Sequence, residues 1–168
     1  MKKYKLTKNE KLVFGRILHQ IKAIKDFSDV KKGELGGWIR GESNLSQDGD
    51  CWIYEDAAVC EDAKISGDAK ISDNAEVYNN ARVFGNAVVY DYAVVSDNAV
   101  VFGNARVSGY ARVYDDVEVS GDAVVSGDAV VSCDAVVTGH AVVTGHALVS
   151  GNALVSGNAI ISGHAGDI

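Results

Sequence analysis

One feature constrains this chain more than any other: it repeats every six residues. Alanine stands at each sixth position from Ala57 to Ala165, interrupted once by Val117, and two places beyond each stands Val or Ile from Val59 to Ile161. Typical units read GDAKIS, NNARVF, DNAVVF, GNARVS, GDAVVS and GHALVS. Ala, any residue, Val is a three-residue strand whose outer members share one face and whose middle member takes the other. The Gly, Asp or Asn pair that follows is turn chemistry, because these residues tolerate positive φ or bond their own backbone. A three-residue strand cannot bury an apolar face alone. Coiling the chain so that equivalent strands stack does bury it, each Val contributing roughly 1.5–3 kcal/mol. The repeat therefore predicts a parallel β-solenoid with a narrow Ala/Val interior.

The pattern extends upstream. Cys51/Ile53, Ser43/Leu45 and Gly37/Ile39 fit the Ala/Val pair if two residues are looped out within Gln47–Asp50. About 21 hexads result, or about seven triangular coils at three hexads per coil, forming a rod of roughly 34 Å. Residues 1–36 read as an N-terminal β cap and residues 37–168 as the solenoid. The alternation in RILHQIKAI suggests a hairpin or short strands covering the first coil, whose open edge needs protection. His19 lies in that alternation and reads as structural. At GHAGDI no helix follows to cover the last coil, which points to association there.

Charge is split along the chain. Residues 1–36 hold ten Lys/Arg against four acids, the remainder six against nineteen, and no Lys or Arg follows Arg112. A basic head on an acidic body argues against direct nucleic-acid binding by the body. No apolar run approaches the roughly 20 residues of a membrane helix, and no secretory leader is evident, so a cytoplasmic protein without membrane contact is expected. The 168 residues contain no proline and only three cysteines, at spacings that suggest neither disulfides nor a metal site. Cys51 takes an inward position, Cys60 an outward one, and Cys133 stands where a corner glycine is usual. Asn44-Leu45-Ser46 matches a glycosylation acceptor that is meaningless without secretion.

The segments DFSDVKKGELGGWI (26–39) and NLSQDGDCWIY (44–54) closely resemble the N-terminal region of YdcK-like bacterial hexapeptide-repeat proteins. The resemblance implies a left-handed parallel β-helix, a hand that period alone does not give. It also implies a link to transferases, since many hexapeptide-repeat proteins are acyltransferases, and it makes a homotrimer the family-like assembly.

The middle residue of each strand faces solvent. Early hexads place Lys64, Lys70, Glu76 and Arg82 there, whereas later ones place aliphatics. At three hexads per coil, Val124, Val142 and Ile160 share one face, Val130 and Leu148 a second, Val136 and Leu154 a third. Exposed aliphatic patches of that extent mark an interface, so a homo-oligomer (dimer or trimer) or a protein partner is expected. Just past the inward Val, Tyr78, Phe84, Tyr90, Phe102 and Tyr114 form an aromatic surface. Phe84 and Phe102, 18 residues apart, should stack, a ladder that mainly stabilises neighbouring strands. Only Thr138 and Thr144 stand in these columns as threonine, on different faces, which rules out an ice-binding array.

Corners hold the candidate chemistry. Tyr92, Tyr110, Asp128, His146 and His164 recur at 18 and should line one edge; His140 joins Asn104, Asp122 and Asn158 on another. An acyltransferase needs a base to deprotonate its acceptor, and His146 beside Asp128 and His164 has that chemistry. Two His and one Asp also suggest a metal site, but without supporting ligands, so no metal is assigned. The repeats from Ala57 to Ile161 contain no inserted loop to build a substrate pocket. The reading favoured by the residues is therefore a non-catalytic, self-associating scaffold or protein-binding module with no cofactor. A CoA-dependent acyltransferase using acetyl-CoA is the alternative. An acidic nucleic-acid mimic docking on a DNA-binding protein is a minor one.

Overall fold

A computed structural model describes residues 2–163. The predicted solenoid forms, as a three-sided stack of parallel two-residue strands. Strand β3 (Leu35–Ile39) starts face 1, which continues through strands centred on residues 58, 76, 94, 112, 130 and 148. Face 2 runs through the strands beginning at Lys64, Arg82, Val100, Glu118, Val136 and Leu154, with Leu45 bridging to Ile65 as its first rung. Face 3 runs from Trp52–Ile53 through Lys70–Ile71 to Ile160–Gly163. The faces thus describe about seven coils, and no described helix is long and apolar enough to cross a membrane.

Register follows the period. Val88 pairs with Arg106, Val94 with Arg112 and Val100 with Glu118, each a step of 18 residues. In the first coil Trp38 pairs with Ala58 and Leu45 with Ile65, a step of 20, whereas Trp52 already pairs with Lys70. The two extra residues therefore fall between Leu45 and Trp52, where the sequence required them. From Ala57 to Val143 every Ala and Val of the inward pair is fully buried, Val117 included. Small Ala beside each corner and branched Val at mid-face fill the tube without voids needing long side chains.

Corners are built from a left-handed residue once per hexad. Between faces 2 and 3 that residue is Gly in each coil from Gly49 to Gly157, all at positive φ. A Cβ on Gly103 would lie 3.0 Å from both the backbone N and O of Gly121, so stacking as well as φ demands glycine there. Between faces 3 and 1 the same position carries Glu55, Asp73 and Asp91. Each accepts a hydrogen bond from the backbone N–H one coil on, at Asp73 (3.0 Å), Asp91 (3.3 Å) and Gly109 (3.0 Å) respectively. The carboxylate stabilises what the left-handed backbone costs.

The N-terminal alternation resolves into a hairpin, β1 (Tyr4–Val13) and β2 (Arg16–Ala23), whose Phe14-Gly15 turn has φ of 48° and 72°. β2 pairs antiparallel with β3, so the cap prolongs face 1 below the first coil. Tyr4, Ile21 and Val30 are fully buried and close the bottom of the tube, with Trp52 edge-on to Tyr4 and Phe27. Lys3 is also buried. Its ammonium donates to the carbonyls of Gly49 (2.9 Å) and Cys51 (2.8 Å), while Gln47 Oε1 accepts from the Lys3 backbone N–H at 2.9 Å. The looped-out residues thus hold the start of the chain. His19 is half-buried, its Nδ1 3.8 Å from Glu10, in the structural position expected.

Two outward positions are corrected by this hairpin. Cys60 has outward register but is buried against Leu18 and Ala58, because β2 lies over the outer side of face 1. Burial pushes its thiol up to about 11. Tyr78, expected on the aromatic surface, packs its ring against Phe14 at 5.1 Å and joins the same cluster.

Candidate functional site

The corner column forms as the spacing implies. The rings of Tyr92 and Tyr110 stack with centroids 5.0 Å apart and planes within 6°. Two rungs on, His146 Nδ1 lies 3.4 Å from Asp128 Oδ2. On the edge between faces 2 and 3, His140 Nδ1 lies 3.4 Å from Asp122 Oδ2, and Asp122 Oδ1 accepts from Asn104 Nδ2 at 2.9 Å. Both imidazoles are half or more exposed. Each Asp carboxylate can orient its imidazole, the arrangement a general base needs. Neither pair lines the depressions beside the N-terminal hairpin. His164 lies outside the described residues, so the third member of its column is not placed. Among the described residues no three His, Cys, Asp or Glu side chains converge to hold a metal ion.

The aliphatic positions divide as expected. Val124 pairs with Val142 and Val142 with Ile160 on face 3, Val130 with Leu148 on face 1, Val136 with Leu154 on face 2. The four valines are half-buried by their neighbours, whereas Leu148, Leu154 and Ile160 are 67%, 67% and 72% exposed. Of the aromatics, Phe84 and Phe102 stack at 5.1 Å with planes within 7°. Tyr90 and Tyr114 stand apart, each followed one coil on by a buried serine, Ser108 or Ser132. Tyr54, in the same column as Tyr90, donates to Asp29 at 2.9 Å. Asp29 also accepts from Lys70 at 3.0 Å, and that ammonium holds its carboxyl down at about 2.

Sequence reasoning missed the recessed part of the surface. The depressions cluster where the hairpin tip and the Glu42–Asn44 turn meet faces 1 and 2, and they are lined by Arg16, Arg40, Lys64, Arg82 and Phe84. The signal was available: Lys64 and Arg82 stand 18 residues apart on one face. What the period does not convey is the wall that the turn builds beside them.

The family model described as the YdcK beta solenoid repeat matches residues 75–91, 81–97 and 147–163. The protein named "Uncharacterized acetyltransferase YdcK" from Escherichia coli (strain K12) is 40% identical over 67 residues, which cover 35% of this chain and 21% of that relative. The chain therefore matches about a fifth of the relative's length. With coils, corners and repeat matches in agreement, the chain is a YdcK-like β-solenoid protein.

Proposed function

We propose that the chain is a β-solenoid scaffold that associates with further copies of itself through the aliphatic faces of its later coils. The observation that carries this reading is the exposure of Leu148, Leu154 and Ile160, each one coil beyond an outward valine on its own face. Water-exposed aliphatic ladders on flat sheets gain roughly 25 cal/mol per Å² when covered, and a second copy offers the same flat surface in return. Sedimentation velocity on the full chain tests it. A dimer or trimer is expected, converted to monomer by the combined Leu148→Lys, Leu154→Lys and Ile160→Lys changes. A monomer at every concentration up to about 100 Kd of a micromolar association would refute the reading.

The relative's printed name favours a second reading, acyl transfer from acetyl-CoA. The Asp128–His146 pair, 3.4 Å apart, supplies an oriented base to take the proton from an acceptor hydroxyl or amine as it attacks the thioester carbonyl. The CoA thiolate leaves and the acyl group passes to the acceptor. Release of free thiol from acetyl-CoA in the presence of amine and hydroxyl acceptors, abolished by His146→Ala, supports this reading. No release with any acceptor leaves the scaffold reading in place.

A further inference from the structure

The depressions near the hairpin adjoin one another as parts of one grooved surface, because neighbouring parts share lining residues. About 410 Å³ lies along Arg16, Arg40 and the Asn79–Asn80 corner. About 360 Å³ lies over Asp62, Lys64, Asn80 and Arg82, and about 220 Å³ between Ser43–Gln47 and Lys64, Arg82 and Phe84. Asp62 and Asn80 join the first two parts, Lys64 and Arg82 the last two.

Its charge runs against the rest of the solenoid. Of the acids along it, Glu61 pairs with Arg16 at 3.7 Å, Glu42 pairs with Lys2 at 2.7 Å, and Asp97 accepts from Asn79 at 2.8 Å. Among the described residues Arg40, Lys64 and Arg82 form no ion pair. Three unpaired cations thus face two carboxylates that no cation pairs, Asp62 and Asp97, in a chain of net charge −7. Lys64 and Arg82 are moreover direct register partners on adjacent strands. Like charges placed opposite one another weaken a sheet, and an anion bridging them removes that cost.

Beside the cations is a flat apolar platform. Phe84 ends the Arg82 strand, with the guanidinium carbon 5.4 Å from its ring centroid. One side of the Phe84 ring is stacked on Phe102. On the other side, one coil back, the column holds only Ser66, which together with Leu45 and Ile65 lines the recess. The short serine puts no ring at the next place in the stack, so on that side Phe84 has no aromatic neighbour in its column. A ligand that continues the stack and carries two phosphate charges a few ångströms away matches both halves of the groove.

We infer that this groove binds a purine nucleoside diphosphate group, with the base over Ser66 against Phe84 and the phosphates on Lys64 and Arg82. The group occurs in two chemical forms, as a free nucleotide or as the nucleotide end of CoA. Binding here is independent of self-association, so the two ideas fail separately.

Isothermal titration calorimetry on the full chain uses ADP, CoA, adenosine and inorganic pyrophosphate as probes. ADP is expected to bind more tightly than adenosine or pyrophosphate, and Arg82→Val and Phe84→Ser each to weaken it about tenfold or more. These are residues the same columns carry at Val100 and Ser120, so the coil is kept; circular dichroism melts check this. Arg106→Val, on face 3, is expected to leave binding unchanged. CoA binding as tightly as ADP identifies the cofactor form, and ADP binding alone the free nucleotide; both uphold the site. Pyrophosphate binding as tightly as ADP, with Phe84→Ser silent, overturns it in favour of a plain anion patch. Absence of heat from both ADP and CoA at millimolar concentration, in a folded protein, overturns it outright.

Discussion

Val125 and Val124 are chain neighbours with opposite surroundings, and truncating each to Ala tests the whole architecture. Val125 is fully buried and stacks between Val107 and Val143. Removing two methyl groups there forfeits about 1.6 kcal/mol of transfer free energy at ~0.8 kcal/mol per carbon. The backbone ladders on both sides prevent the coils from closing the gap, so a cavity contribution raises the loss to about 2–3 kcal/mol. Val124 is half-buried on the outer side of face 3, and its truncation is expected to cost about 0.5 kcal/mol or less. The assay is urea unfolding at a concentration where the protein is monomeric. Circular dichroism follows all coils, while fluorescence follows Trp38 and Trp52, both in the first coil. A chain of this size converts the Val125 loss into a melting point lower by roughly 5–10 °C. Equal losses at both positions, or a larger one at Val124, would refute the assignment of inward and outward residues.

Three further outcomes are expected. Gly103→Ala should cost about 1–2 kcal/mol for its left-handed backbone, plus the displacement forced by its 3.0 Å approach to Gly121. Gly15→Ala, at φ 72° with open space around it, should show the backbone part alone when both variants are compared in urea melts. The Asp29 carboxyl is held down to about 2 by Lys70, so the ion pair stabilises the fold above the ordinary carboxylate range and is lost as pH falls from about 4 to 2. Exposure limits that contribution to about 1 kcal/mol, and Asp29→Asn should flatten this part of an acid-unfolding curve. In native protein, a thiol reagent at pH 8 should label Cys133 quickly and the buried Cys51 and Cys60 only on unfolding, so that Cys133→Ser removes the fast phase.

What could be read beforehand was whatever the period controls. The 18-residue register, the buried Ala/Val column, the displaced pair between Leu45 and Trp52, and the Asp128–His146 rung all follow from counting sixes. What escaped depends on the residues outside the repeat. No periodicity tells that β2 swings over face 1 and buries Cys60 and Tyr78, or that Lys3 donates its ammonium to carbonyls of the first coil. The groove escaped for the same reason. Lys64, Arg82 and Phe84 belong to the repeat, but the wall beside them is the Glu42–Asn44 turn, where Ser43, expected to face inward in a strand, lies exposed in a 3-10 turn.

The strict 18-residue register makes this rod behave like a combination lock. Excising three hexads shortens it by one click and leaves every remaining corner aligned. Excising a single hexad, such as residues 105–110, turns everything beyond it by a third of a revolution, and Asp128 then comes to rest over Asn104 instead of Tyr110. Buried Ala and Val are interchangeable under that rotation, so folding tolerates it, while every surface that spans the cut is scrambled. Length can therefore change gradually in such a chain, but the alignment of its edges can change only in thirds of a turn.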